Sequence, residues 1–293
     1  MAEVSSVQAG REAGVDAAGL LASLEGVVRG YVRLLVAYSG GIDSTVVAAV
    51  GRRVLGREAC VAVIGDSLSL PRRELRAAVA LAEGLDLELV TVAPKEQEDA
   101  GYRANAGDRC FYCKTNLYEE LQALAKERGF ERIANGTNMN DLGDHRPGLK
   151  AAVEAEVVLP LVEAGLDKAG VRAVARHLGL PNADKPAAAC LASRIPYGTE
   201  VTVERLREVE AAEDALADLG FEGFRVRHHG QVARLEVPVE QLERLMDEGI
   251  RERVVRAVKA AGFVYVAVDL EGFRSGSGNV ALTLGGQKVG AGG

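Results

Sequence analysis

Apolar residues fall along the chain in two alternating rhythms. Val32–Tyr38 is a short, mainly apolar run that reads as a buried strand, and Cys60–Ile64, Leu87–Val92 and Arg132–Ala134 read as three more strands. Between them, Thr45–Leu55, Pro71–Glu83 and Arg109–Arg128 read as helices. Strands alternating with helices predict an α/β fold, a parallel sheet with helices on both faces. Residues 1–28 read as an amphipathic helix, and the segment Lys150–Leu180 is also helical in character.

The stretch Pro181–Tyr197 is irregular, and beyond it the pattern restarts. A helix over Val203–Leu219, a strand or hairpin over Phe224–Val237, a helix over Glu240–Ala260 and a strand over Phe263–Asp269 make a second, smaller α/β unit. The expected division is therefore a domain at 1–199 and a smaller substrate-binding or oligomerisation domain at 200–293. The Gly-rich tail, Ser275–Asn279 and Gly285–Gly293, reads as partly mobile.

Composition narrows the class. Aromatic residues are only 4% and Trp is absent, so Ala, Val and Leu must fill the core. A net charge of −7 argues against long nucleic acid as a partner, since phosphate neutralisation needs a basic surface. It leaves room for a local pocket that takes one small phosphorylated ligand. The first residues lack the basic start and apolar run of a signal peptide, and no apolar run approaches the ~18 residues of a membrane span. The expectation is a cytoplasmic protein without a membrane partner, its four cysteines reduced. In that setting a close Cys pair points to metal or redox chemistry.

The strongest local signal is Ser39-Gly40-Gly41-Ile42-Asp43-Ser44, set between the first strand and the first helix of the sheet domain. Two glycines open torsions closed to other residues and let the main chain approach a ligand. The following helix aims its N–H groups and positive dipole end at the loop, which suits an anion. Ser39 and Ser44 add hydroxyls. Asp43 repels bare phosphate, so it fits either as a helix-start residue or beside a magnesium ion on the phosphates. The competing reading is an ordinary glycine turn with Asp and Ser caps. GxxxxGK[ST] is absent, which excludes a Walker loop. The hexapeptide instead resembles the SGGxDS signature of PP-loop ATP pyrophosphatases, which hold the pyrophosphate of ATP and release it on adenylating a substrate. That resemblance implies that Gly65-Asp66-Ser67, at the end of the second strand, lies near the adenine and ribose.

Cys110 and Cys113 form Arg-Cys-Phe-Tyr-Cys-Lys, a spacing that places two sulfurs on one metal or cluster, or makes a redox pair. No second Cys-x-x-Cys exists to complete a zinc ribbon. Cys190 lies in the stretch Lys185–Arg194, where Lys185 and Arg194 would favour the thiolate; the alternative is a small buried hydrophobe. Cys60, inside a predicted strand, reads as that hydrophobe. Arg225 and Arg227 alternate on a predicted strand and so share a face, where paired guanidiniums suit a phosphate or simply form a solvated basic surface. His228 and His229 read as surface histidines. Asp141, Asp144 and Arg146 either shape a nucleotide site or fix a Pro-Gly turn.

Taken together, SGGIDS at 39–44, RCFYCK at 109–114, NGTNMNDLGDHRPGLKAA at 135–152, ACLASRIPYG at 189–198 and FRVRHHGQVARLEV at 224–237 resemble the LarE family of ATP-dependent sulfur transferases. The likeness runs from about Val32 to Asp269. It implies a small nucleotide substrate, pyridinium-3,5-biscarboxylic acid mononucleotide, whose carboxylate is adenylated by ATP with Mg²⁺ and then receives sulfur during nickel-pincer nucleotide synthesis. It further implies that Gly136 and Thr137 join the nucleotide site, that Ser193, Arg225 and Arg227 bind the substrate's phosphate, and that Cys190 is the sulfur-donating cysteine. Some family members hold a [4Fe-4S] cluster on three cysteines, which here would be Cys110, Cys113 and Cys190; others sacrifice one cysteine. A homo-oligomer is also implied. The rival readings are a PP-loop tRNA thiolase, an amidating ligase of the NAD or GMP synthetase type, and a non-enzymatic nucleotide-binding module.

Overall fold

The computed structural model describes residues 15–143, 147–186 and 188–274. Asp144, His145, Arg146, the first part of the expected N-terminal helix and the Gly-rich tail lie outside the described residues. The chain divides into two compact units. One is built from residues up to Ser67, Arg72–Glu96 and Cys110–Ala188; the other from Leu68–Pro71, Gln97–Arg109 and the residues from Ala189 onward. The boundary expected near residue 200 thus falls inside the second unit, which also takes in two short stretches from the first half of the chain.

The first unit is a four-stranded, wholly parallel sheet of β1 (Leu34–Ala37), β2 (Cys60–Gly65), β3 (Glu88–Val92) and β4 (Arg132–Ala134), in the order β3-β2-β1-β4. β1 sits beside β2 and β4, so its apolar residues Leu34, Leu35 and Val36 are fully covered. On one side Leu35, Val61 and Val63 pack with Tyr118 and Leu121 of the helix Arg109–Arg128, and with Ala151 and Ala152 of the helix Pro147–Glu154. The helices α1 (Ala17–Val28) and α2 (Ile42–Leu55) pack against the helix Lys168–His177. α2 starts at Ile42, earlier than the expected Thr45, because Gly41 is extended (φ −73, ψ 157) and acts as the N-cap.

The second unit has a three-stranded sheet of β5 (Arg225–His229), β6 (Val232–Glu236) and β7 (Tyr265–Val268). β5 and β6 form an antiparallel hairpin, and β7 adds parallel to β6. The helix Val203–Asp218 packs on β5 and on the helix Glu248–Ala260. The single helix expected over Glu240–Ala260 is two, Leu242–Met246 and Glu248–Ala260. Asp247 causes the break: its carboxylate accepts from the Ile250 N–H at 3.3 Å and caps a new helix. His228 is also unlike its expectation. It is buried, bonded to Glu208 at 2.9 Å and packed edge-on against Phe263. The inner face of β5 gathers the core, so a histidine there is covered.

Leu121 is fully buried in the sheet-facing cluster. Leu121→Ala removes packed methyl groups where neighbours collapse only partly, and should cost about 2–5 kcal/mol in guanidinium denaturation at neutral pH.

Candidate functional site

In the first unit the Ser39–Ser44 loop is held as a small closed structure. Gly40 has φ +70, and a Cβ there would stand 2.5 Å from the Ala78 Cβ, so both torsion and space demand glycine. The Ser39 and Ser44 hydroxyls are 3.2 Å apart. The Gly41 N–H donates to Ser39 Oγ at 3.3 Å, and the Ser39 N–H to Ser44 Oγ at 3.2 Å. A glycine N-cap brings no side-chain acceptor to the first-turn N–H groups of α2. Those groups, with the helix dipole behind them, suit an anion.

The segment after β4 presses on this helix start. A Cβ on Gly136 would lie 2.5 Å from the Ser44 nitrogen and 2.8 Å from the Asp43 carbonyl carbon. Gly136 therefore lets a second strand end reach the loop. Thr137 is buried, its N–H donating to Asn135 Oδ1 at 2.9 Å. Asn138, 1% exposed, donates through Nδ2 to Asp43 Oδ1 at 2.9 Å, and its own N–H donates to Asp141 Oδ2 at 3.2 Å. Asp43 is thus not the cap of its helix. Burial raises its pKa, the charge on Asp141 adds to this, and the Asn138 hydrogen bond and Lys168 oppose it. Asn138 was not singled out from the sequence, although it stands two residues past Gly136 in the same run.

At the end of β2, Asp66 is paired with Arg72, and the Ser67 hydroxyl donates to Glu96. Glu96 is almost fully buried, and burial raises its pKa. Asp66 and Ser67 are therefore both tied into side-chain contacts at the carboxyl end of the sheet, where open α/β sheets bind ligands.

In the second unit Cys190 immediately precedes the turn Leu191–Arg194. Its carbonyl accepts from the Ser193 N–H at 3.0 Å, the Ser193 hydroxyl at 2.7 Å and Arg194 Nη1 at 2.8 Å. Arg194 is buried and grips Glu213 with two bonds, Nε to Oε1 at 2.9 Å and Nη2 to Oε2 at 3.0 Å. Lys185, in the other unit, is engaged with Glu74 at 2.6 Å. Both cations expected to favour the thiolate thus have carboxylate partners.

Arg227 joins the same group, donating to the Ser193 carbonyl at 3.0 Å and pairing with the fully buried Glu236 at 2.8 Å. The solvated basic face is therefore ruled out for Arg227. Arg225 is half-buried, with Phe273 stacked on its guanidinium at 5.0 Å. Among the described residues it has no carboxylate within ion-pair distance. Burial, then the neighbouring charge of Arg194, lower its pKa. The structure thus brings Cys190, Ser193, Arg225 and Arg227 together around Arg194, and makes Arg225 the cation with least carboxylate compensation.

Cys110 is exposed and Cys113 half-buried. They stand three residues apart on the first turn of the helix Arg109–Arg128, and so on one side of it. Among the described residues no group of three or more His, Cys, Asp or Glu side chains is gathered as a metal site. Cys60 is the buried hydrophobe expected, its thiol pushed up to about 12 by burial.

Comparison with known proteins gives a consistent pattern. Residues 21–122 match the NAD synthase family model. Over 251 residues the chain is 43% identical to an uncharacterised protein of Synechocystis sp., covering 86% of this chain and 93% of that one. It is 38% identical over 262 residues to the pyridinium-3,5-bisthiocarboxylic acid mononucleotide synthase of Lactiplantibacillus plantarum, covering 89% of this chain and 94% of that one. A tRNA-specific 2-thiouridylase of Gluconobacter oxydans is 30% identical over 77% of this chain and 72% of its own length.

Because the folded pKa of Asp43 lies above its unfolded value of ~3.9, the native state holds the proton more tightly. Its contribution to stability is present below the unfolded value and is lost as pH rises through the folded one. Asp43→Asn keeps an acceptor for Asn138 and removes the charge of a half-buried carboxylate. The ligand-free variant should melt above the parent at about pH 8, with the gap closing towards about pH 4, in thermal melts across that range.

Proposed function

The chain belongs to the LarE family of PP-loop ATP-dependent sulfur transferases, and from that premise we propose how its residues act on pyridinium-3,5-biscarboxylic acid mononucleotide. The observation that carries the reading is the glycine-lined anion cradle at Ser39–Ser44, with half-buried Asp43 at the helix start. Ser39, Gly40, Gly41 and Ser44 position the ATP polyphosphate, and Gly136 and Thr137 complete the nucleotide side. Asp43 would hold Mg²⁺, whose charge would offset the cost of an ionised carboxylate in a half-buried place. Asp66 and Ser67 frame the nucleoside.

A substrate carboxylate oxygen attacks the α-phosphorus, the bond to the bridging oxygen breaks, and pyrophosphate leaves. The product is an acyl adenylate, activated for attack by sulfur. Arg225 and Arg227, with Ser193, anchor the substrate's phosphate, Arg225 supplying most of the net charge. Sulfur delivery is placed at Cys190, whose main chain is fixed by three donors. In the sacrificial form, the Cys190 thiolate displaces AMP to give a thioester. Loss of the Cys190 Cα proton then expels the thiocarboxylate and leaves dehydroalanine.

Cys110 and Cys113, three residues apart on one helix, would together with Cys190 be the cysteines to hold a [4Fe-4S] cluster, as the family resemblance implies. Such a cluster, when bound, supplies an exchangeable sulfide and spares the Cys190 side chain. A cytoplasmic, homo-oligomeric enzyme accords with this chemistry. No described helix is long and apolar enough to cross a membrane.

The deciding experiment measures iron and acid-labile sulfide on protein purified without oxygen, then products with ATP and substrate. About four irons per chain are expected, lost in Cys110→Ala and Cys113→Ala. No iron, with a Cys190 peptide lighter by one H₂S after reaction, would assign the sacrificial route instead. Cys190→Ala should still release pyrophosphate yet form no thiocarboxylate. Normal thiocarboxylate formation by that variant, or sulfur transfer to tRNA instead, would overturn the reading.

A further inference from the structure

Asn182 lies in the turn between the helix Lys168–His177 and the Cys190 segment, and no role above uses it. Its residue is 6% exposed. Nδ2 donates twice, to the Gly40 carbonyl at 3.1 Å and to Thr45 Oγ1 at 3.0 Å. Thr45 Oγ1 donates onward to the Gly41 carbonyl at 2.8 Å, where the Thr45 N–H at 3.0 Å and Ser44 Oγ at 3.2 Å also converge. One amide therefore holds the Gly40 carbonyl directly and the Gly41 carbonyl through a relay.

The consequence follows from peptide geometry. A trans peptide is planar, with its C=O and N–H pointing in opposite directions. Fixing the Gly40 carbonyl on Asn182 turns the Gly41 N–H away, towards Ser39 Oγ at 3.3 Å. Fixing the Gly41 carbonyl turns the Ile42 N–H away in the same manner. Successive main-chain N–H groups aimed from one loop make an anion-binding nest. The other end of the amide supports a functional reading. Asn182 Oδ1 is buried with no hydrogen-bond partner among the described residues. A buried acceptor without a partner is a cost that packing alone would remove, so the amide is retained for its two donors. The turn itself is anchored by Lys185 on Glu74 at 2.6 Å and Arg176 on Asp184 at 2.7 Å.

We infer that Asn182 is a positioning residue that presets the Gly41 and Ile42 amides for the polyphosphate of ATP. The inference rests on the loop being the ATP site, as proposed above.

The test is equilibrium binding of Mg·ATP and of adenosine, by calorimetry on the full chain, with thermal melts of the ligand-free proteins. Asn182→Asp sets an acceptor against the Gly40 carbonyl and should weaken Mg·ATP binding by about tenfold or more. Adenosine, which has no phosphates, should bind as to the parent. Thr45→Val cuts the relay while leaving the Asn182 bond to the Gly40 carbonyl, and should weaken Mg·ATP by about threefold, again sparing adenosine. Unchanged Mg·ATP affinity in Asn182→Asp would overturn the inference. So would equal losses for Mg·ATP and adenosine, which denote a structural role. Should Asn182→Asp fail to fold, the same two ligands on Thr45→Val decide it. A parent that binds Mg·ATP yet releases no pyrophosphate with the biscarboxylate mononucleotide would sink the proposed function and leave this inference to the binding data.

Discussion

The close approach of three chain segments at the start of α2 is the constraint on which the first unit depends. Gly40 admits Ala78, Gly136 admits the main chain of Asp43 and Ser44, and each approach is closer than any Cβ tolerates. Such proximity leaves main-chain polar groups without water, so each must find a partner in the protein. Asn182 supplies part of that need at the Gly40 carbonyl, and Asn138 in turn bonds the Asp43 carboxylate. The parallel sheet makes this possible. β1 lies between β2 and β4, so the loop after β1 and the loop after β4 emerge side by side at the same edge.

A different economy governs the second unit. Its sheet buries Glu236 completely and surrounds it with Arg227 and Arg234, at 2.8 and 2.9 Å. Arg194 and Glu213 repeat the arrangement next to Cys190. Buried ion pairs contribute little net stability, because desolvation offsets most of the attraction, but losing one partner is costly. Their effect here is fixation. Arg194 and Ser193 hold the Cys190 carbonyl, Arg227 holds the Ser193 carbonyl, and Glu236 holds Arg227. Asn105, itself left-handed at φ 52, ties the carbonyls of Pro196 and Thr199 at 2.8 Å each and closes the other end of that turn.

Much of this was legible in the sequence, for identifiable reasons. β1 and β2 were readable because the inner strands of a parallel sheet are buried on both faces, and the runs Leu34–Val36 and Cys60–Ile64 are then unbroken. The glycine loop announced itself because Gly40, at φ +70 and pressed against Ala78, admits only glycine. What was missed depends on tertiary context. Nothing local marks Asn182, whose partners lie far back in the chain. His228 was misread because alternation on a strand does not say which face is covered. The break at Asp247 was overlooked because apolar periodicity continues across it while a single capping carboxylate restarts the helix. The two-segment contribution to the second unit, Leu68–Pro71 and Gln97–Arg109, is likewise a property of packing.

The contrast between Cys60 and Cys190 shows what separates a packing thiol from one whose sulfur stays accessible. Cys60 sits in mid-sheet against Gly51, where an added Cβ would meet its sulfur at 2.3 Å, and burial forces its thiol to stay protonated. Its side chain is fixed and its chemistry suppressed. At Cys190 the order is reversed: the main chain is fixed by three donors while the side chain is only half-buried. The sulfur-donor role proposed for Cys190 would need that arrangement. The thiol must reach an acyl carbon and then part from its own Cβ, and a mobile backbone would spend the gain of a bound, activated substrate on disorder. Immobilising the carbonyl rather than the sulfur supplies orientation without covering the atom that reacts.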